Sequence, residues 1–228
     1  GDNLAVQLMV GEAYVDAQEF AKAETTLKRA LALDGKSQEA QVLMGGLFMS
    51  RAKEEKDPAL YTTARRWFAD AYRLDTKDPR AAIGYYMTYY DAKEPIPEPA
   101  LIALESVFDY SSYDSGYRIL LARQLLDEGK GKDARSVLAP LAFSSHKQEK
   151  ANKVAEIVDA IDANDLQGAR TKIAAVFAEA VDVLARMLRV ELDEISCSVE
   201  FAHATQEAVA DGVLIEARHT IPDEQGNS

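Results

Sequence analysis

The chain contains one cysteine, Cys197, among its 228 residues. That count excludes an internal disulfide and a zinc site built on paired cysteines, and it fixes no redox compartment. Histidine is scarce as well: His146, His203 and His219 are the full set, and none stands in an HExxH pattern. No apolar run approaches the ~18 residues of a membrane-spanning helix, so membrane insertion is not expected. The opening Gly1-Asp2-Asn3 also lacks the charged-then-apolar start of a secretory signal. Basic residues are outnumbered, 26 against 38 acids, for a net charge of −12. A sequence-independent nucleic-acid binder needs a basic face to neutralise phosphates, and adsorption on anionic lipid needs the same. Neither partner is expected.

Catalytic constellations are equally sparse. Glu200 and His203 stand three apart, a spacing that two metal ligands can share, yet such pairs arise commonly as solvated polar residues. Cys197 lies among alternating apolar neighbours and reads as a small buried hydrophobe rather than a nucleophile. Gly45-Gly46 falls inside a helical pattern, so it serves packing and cradles no phosphate. Catalytic residues, cofactors and metal ligands are therefore assigned to none of the positions, and the chain by itself is not expected to be an enzyme.

What the sequence does hold is an apolar share of 47% beside 28% charged residues, enough to bury a core. The charge is uneven. Residues 191–228 carry nine carboxylates against Arg218 alone, so −8 of the −12 sits in the last 38 residues and the rest is close to neutral.

Self-similarity organises the near-neutral part. Residues 4–37 read as two amphipathic helices joined by a tight turn, with Val10, Gly11 and Tyr14 on the first and Phe20, Ala23, Leu27, Ala30 and Leu31 on the second. Spacings of three and four mark one buried helical face. The signature returns at 38–78 with Met44, Gly45, Phe48, Tyr61, Ala64, Phe68 and Ala71, at 79–114 with Tyr89, Ala100, Leu104 and Val107, and at 115–148 with Ala122, Leu125, Ala134 and Leu138. The second unit is seven residues longer than the first, with the surplus at 50–58, and is expected to lengthen a helix or form an exposed loop. Pro95, Pro97 and Pro99 must break the helix in the third. Asp78-Pro79 reads as a cap followed by a first-turn proline.

These units resemble the tetratricopeptide repeat, whose 34-residue unit places a small residue in the middle of helix A and alanines at two points of helix B. Gly11, Gly45 and Ala122 match the first feature, Ala23, Ala64, Ala100 and Ala134 the second, and Ala30 and Ala71 the third. The helix-A tryptophan of that family is replaced by Gln7, Gln41, Ala82 and Arg118, and its terminal proline by Gly35 or Thr76. Tyr86 stands where the third unit should have a small residue, so an altered packing is expected there. The stretch from Leu141 onward also resembles the repeat tails of larger bacterial proteins.

The resemblance implies an all-α, right-handed helical-repeat solenoid of about four to five helix pairs. Four repeats (4–37, 38–78, 79–114, 115–148) are followed by a degenerate repeat and capping helix at 149–192. The tail, 193–228, changes period: Ile195, Cys197, Val199 and Phe201 alternate with polar residues, as do Val213, Ile215, Ala217, His219 and Ile221. Period two argues strands, so a small strand-containing C-terminal appendage, a β-hairpin in an acidic tail, is expected.

Stacked helix pairs bind partners on the surface lined by their A helices. The resemblance assigns that wall to Leu8, Glu12, Val15 and Asp16, then Val42, Gly46 and Met49, then Ile83, Met87, Tyr90 and Asp91, and finally Ile119, Arg123, Leu126 and Asp127. Family members that hold a chaperone's C-terminal carboxylates use lysine and asparagine at such points, and neither occurs here. An apolar wall dotted with acids suits an apolar or aromatic, partly basic peptide or helix. Two alternatives stand beside this reading: self-assembly into a homodimer through the edge strands of 195–221, and service as the non-catalytic repeat tail of a larger enzyme. A ladder of Tyr85, Tyr86, Tyr89 and Tyr90 on one helix reads as repeat packing ahead of base or sugar stacking.

Overall fold

A computed structural model describes residues 3–111, 114–143 and 149–177. All of them belong to one compact unit spanning Gly1–Leu188. Among the described residues every regular element is an α-helix: α1 (Leu4–Asp16), α2 (Phe20–Leu33), α3 (Gln38–Glu54), α4 (Ala59–Leu74), α5 (Pro79–Ala92), α6 (Glu98–Ser111), α7 (Ser115–Asp127), α8 (Gly131–Ala142) and α9 (Glu149–Asp162), then α10 over 166–177. The surplus of the second unit is a longer helix, because α3 runs on to Glu54. The alternating segments 195–201 and 213–221, the capping stretch beyond 177, Cys197 and all three histidines lie outside the described residues.

Consecutive helices pack in antiparallel fashion, and the backbone distinguishes two kinds of connection. From α1 to α2, α3 to α4, α5 to α6, α7 to α8 and α9 to α10, the chain turns through one residue of positive φ: Gln18 (58°), Lys56 (54°), Lys93 (56°), Gly129 (76°) and Asn164 (61°). In each case the following amide donates five residues back, as Glu19 N to Tyr14 O (2.9 Å), Asp57 N to Ala52 O (3.2 Å), Glu94 N to Tyr89 O (3.0 Å), Lys130 N to Leu125 O (2.8 Å) and Asp165 N to Ala160 O (2.8 Å). This is the Schellman termination, which satisfies the last carbonyls of a helix through a left-handed residue. The connections from α2 to α3 and from α4 to α5 are different. Asp34 and Asp75 leave their helices in extended conformation, and each carboxylate accepts the amide two residues on, Lys36 N (2.9 Å) and Lys77 N (2.8 Å). Ser37 and Asp78 then cap the next helix, Asp78 Oδ1 accepting from Arg80 N at 2.8 Å with Pro79 in the first turn.

Small residues set the spacing between helices. A Cβ built on Gly11 of α1 would stand 2.5 Å from Leu27 of α2, and one on Gly45 of α3 would stand 2.8 Å from the Phe68 ring of α4. The same ring, through Cδ1 and Cε1 again, also lies against Gly84 of α5. Phe68 therefore needs both glycines. In the third unit the close approach falls at Gly84 and not at position 86. Tyr86 is instead wholly buried, its hydroxyl donating to Gln124 Oε1 of α7 at 2.7 Å. One apolar core runs from α1 to α5 around Leu27, Met44, Leu47 and Phe68, and a second from α5 to α10 around Tyr86, Leu104, Leu126, Leu138, Ile157 and Ile173.

Candidate functional site

The surface assigned to the A helices is built on α1, α3, α5 and α7. Of these, α3 and α5 are held side by side by charge pairs that cross between them. Arg80 of α5 grips Glu39 of α3 with two bonds of 2.6 Å and reaches Asp78 at 2.8 Å, while Gln38 Nε2 donates to Asp78 Oδ2 at 2.6 Å. At the opposite ends of the same two helices Lys53 Nζ stands 2.8 Å from Asp91 Oδ2. That contact is a charge pair off hydrogen-bond alignment, since Asp91 Oδ2 is buried without a hydrogen-bond partner. Arg65 of α4 closes the group, donating to Glu94 (2.8 Å) and Thr88 Oγ1 (3.3 Å) and lying 3.6 Å over the Tyr89 ring.

Of the residues assigned to the wall, Ile119 and Val42 are core residues, 1% and 7% exposed, and Leu126 is fully buried. They fill space between helices and offer nothing to a ligand. Leu8, Val15, Gly46, Met49, Ile83, Met87, Tyr90, Asp91 and Arg123 are half-buried, and Glu12, Asp16 and Asp127 are exposed. Arg123 is taken up within the chain: its guanidinium lies 4.4 Å from the Tyr90 ring centre and 4.8 Å from that of Phe177 on α10. Tyr90 in turn stacks on Tyr86 at 6.2 Å, and Tyr85 meets Tyr89 edge-on at 5.6 Å. All four rings of the tyrosine ladder are thus engaged by side chains of the same molecule.

The acids divide into two groups. Asp91 is matched by Lys53, and Asp127 lies 4.0 Å from Arg170 of α10, whose guanidinium also caps the end of α7 through Leu126 O at 2.7 Å. Glu12 and Asp16, one helical turn apart on α1, have no ion-pair partner among the described residues. Burial raises the Glu12 carboxyl above its usual range, and the negative charges of Asp16 and Glu39 add to this, against the opposing pull of Arg80. Burial alone raises Asp16. Both carboxylates stand exposed on α1 without an ion-pair partner among the described residues, open to a cation from outside.

At the far end of α5 the chain forms a cleft of about 450 Å³ lined by Tyr90, Asp91, Lys93, Glu94 and Ile96. Lys93, Glu94 and Ile96 stood outside the sequence assignment. Their signal was the Pro95-Ile96-Pro97 run, which holds the backbone away from helix geometry and leaves a recess behind α5. Among the described residues there is no group of three or more His, Cys, Asp or Glu that could hold a metal ion, and no helix long and apolar enough to cross a membrane.

No protein-family model matches the chain, and no curated protein matches it in sequence. Solved structures do. A tetratricopeptide repeat protein from Parabacteroides merdae superposes with a TM-score of 0.56 at 16% identity, covering 92% of this chain and 80% of that one. PilF of Pseudomonas aeruginosa gives a TM-score of 0.38 at 15% identity, over 86% of this chain and 97% of that one. The chain has a tetratricopeptide-repeat-like, helical-repeat fold.

Proposed function

We propose that this protein is an interaction scaffold that accepts an apolar or aromatic, partly basic peptide or helix along the A-helix surface. The observation that carries the reading is the pair Glu12 and Asp16, exposed one helical turn apart on α1 with no ion-pair partner among the described residues, their carboxyls raised by partial burial. A lysine or arginine on the ligand would relieve that cost and steer its approach. Half-buried Leu8, Met49 and Met87 supply adaptable apolar contact beside the acids, methionine being suited to surfaces that must conform to a guest. The cleft at Tyr90 and Ile96 offers room for one larger side chain. Val42, Ile119 and Leu126 are left out of the contact surface because they are buried.

Selection from a displayed peptide library on the immobilised chain tests this. Enriched peptides are expected to combine leucine or an aromatic with lysine or arginine, to bind less tightly as salt rises, and to lose binding to Met49→Asp and to Glu12→Gln/Asp16→Asn. Acidic or charge-free winners, or undiminished binding to both variants, would overturn the reading.

A further inference from the structure

The cleft at the end of α5 holds an acceptor that its own chain serves badly. Asp91 Oδ2 is buried without a hydrogen-bond partner, although Lys53 Nζ stands 2.8 Å away. Lys53 does not line the cleft. It reaches Asp91 from the last turn of α3, with 57% of its side chain in water against 16% for Asp91. The surplus of the second unit puts it there: α3 has 17 residues to the 13 of α1, and in the register of Gly11 and Gly45 the counterpart of Lys53 is Glu19, beyond the end of α1. A long side chain tethered to the neighbouring helix thus meets the carboxylate at an angle that makes a charge pair and no hydrogen bond, and the buried oxygen keeps an unfilled lone pair. The Tyr61 phenol of α4 registers the imbalance: burial raises it, and Asp91 raises it further by more than Lys53 lowers it.

We propose that this cleft is a pocket for one lysine side chain of the ligand, whose ammonium takes Asp91 from Lys53. Lys53 is then an internal stand-in for the guest, a competitor held in place by α3. The lining suits an alkylammonium: Tyr90 and Ile96 give apolar wall to a four-carbon stem, Asp91 receives the head, and about 450 Å³ admits both. A single unfilled oxygen matches the rotatable donors of an ammonium better than a guanidinium fork, which asks for two. The other charges of the lining are committed or screened. Glu94 is held by Arg65 at 2.8 Å, and Lys93, of the guest's own sign, is exposed at the rim, where water and salt screen it. The proposal rests on the peptide-binding reading above for its partner, while its probe is a single residue, so that the two can fail separately.

The probe is Nα-acetyl-lysine methylamide, titrated into the isotope-labelled full chain and followed by the amide resonances of Lys93, Glu94 and Ile96. Saturable shifts at these positions are expected, and Nα-acetyl-norleucine methylamide, which keeps the stem without the charge, should bind about tenfold weaker. Lys53→Met preserves the stem of the competitor and removes its charge. It should tighten the lysine probe about three- to fivefold, the factor that a part-exposed ion pair is worth, whereas a lysine that merely braces α3 against α5 would leave the probe unchanged or weaken it. Asp91→Asn should abolish the shifts, with the melting temperature read beside it. Binding by Lys53→Met that is no tighter than that of the unmodified chain, equal binding of the norleucine probe, or shifts that Asp91→Asn leaves intact would overturn the inference. A lysine probe that fails while selected peptides still depend on Glu12 and Asp16 removes the pocket and leaves the peptide surface standing.

Discussion

Phe68 of α4 occupies the space that any side chain on Gly84 of α5 would need. Inside a helix, glycine ordinarily costs about 0.5–1 kcal/mol relative to alanine. Here the ring decides the sign, because it also packs against Gly45 and cannot shift without disturbing that contact. Gly84→Ala is expected to destabilise the fold by about 1–3 kcal/mol. Gly46→Ala is the control, as nothing lies within 4 Å of its Cβ position, and it should stabilise by about 0.5–1 kcal/mol. Chemical denaturation of the two variants reads both, and equal effects would mean that the ring shifts freely.

Tyr86 and Gln124 join α5 to α7 through a buried hydrogen bond of 2.7 Å. Burial pushes the phenol well above its usual range, so it stays neutral and remains the donor. Tyr86→Phe leaves Gln124 Oε1 unmatched in the core and should cost about 1–3 kcal/mol. Adding Gln124→Leu to Tyr86→Phe should restore part of the loss, because removing both partners removes the unsatisfied group. A double-mutant cycle measures the coupling.

Glu12 and Asp16 are expected to oppose folding at neutral pH. Their carboxyls are raised in the folded chain, against about 4.3 and 3.9 unfolded. Below those values both states hold the protons and no penalty exists. As pH rises from the unfolded values through the folded ones, the unfolded state ionises first and stability is lost. Glu12→Gln/Asp16→Asn should therefore melt higher than the unmodified chain at pH 7, and the gap should close near pH 3.5. A gap of the opposite sign at pH 7 would show that a cation within the chain already serves these acids.

The left-handed turn residues give a further pair. Gly129 is the one glycine among the five, and Gly129→Ala should cost about 1–2 kcal/mol, whereas Lys56→Gly should be neutral or slightly stabilising, the relief of a side chain at positive φ offsetting the added freedom of the unfolded chain. Thermal melts compare them directly.

Much of the helical pairing can be read from spacing alone, as in α2, α4 and α8, where one face is apolar and the other charged. Asp78-Pro79 announces the start of α5 for a reason local to two residues. The wall was harder to read. α3 is buried around most of its circumference, at Ala40, Gln41, Val42, Met44, Gly45, Leu47, Phe48 and Ala52, so its apolar residues form no single stripe, and periodicity cannot say which of them face outward. Val42 therefore reads from spacing as a surface residue and lies in the core. Four of the five left-handed turns carry Gln, Lys, Lys and Asn, which leaves no glycine to mark them. The pairing of Lys53 with Asp91 joins residues 38 apart, beyond the reach of any local pattern.

The five Schellman turns have a kinetic meaning. Each closes a helix pair with bonds between residues only five apart in sequence, so a pair can form before its neighbours exist. The later, slower requirement is to seat each pair on the next, as Phe68 is seated against Gly84. Folding should then start in any of several pairs and spread. In native-state hydrogen exchange, α3 to α5, joined by Phe68 and the Arg80 and Lys53 bridges, should protect their amides longest, and α1, with one face open, should release first.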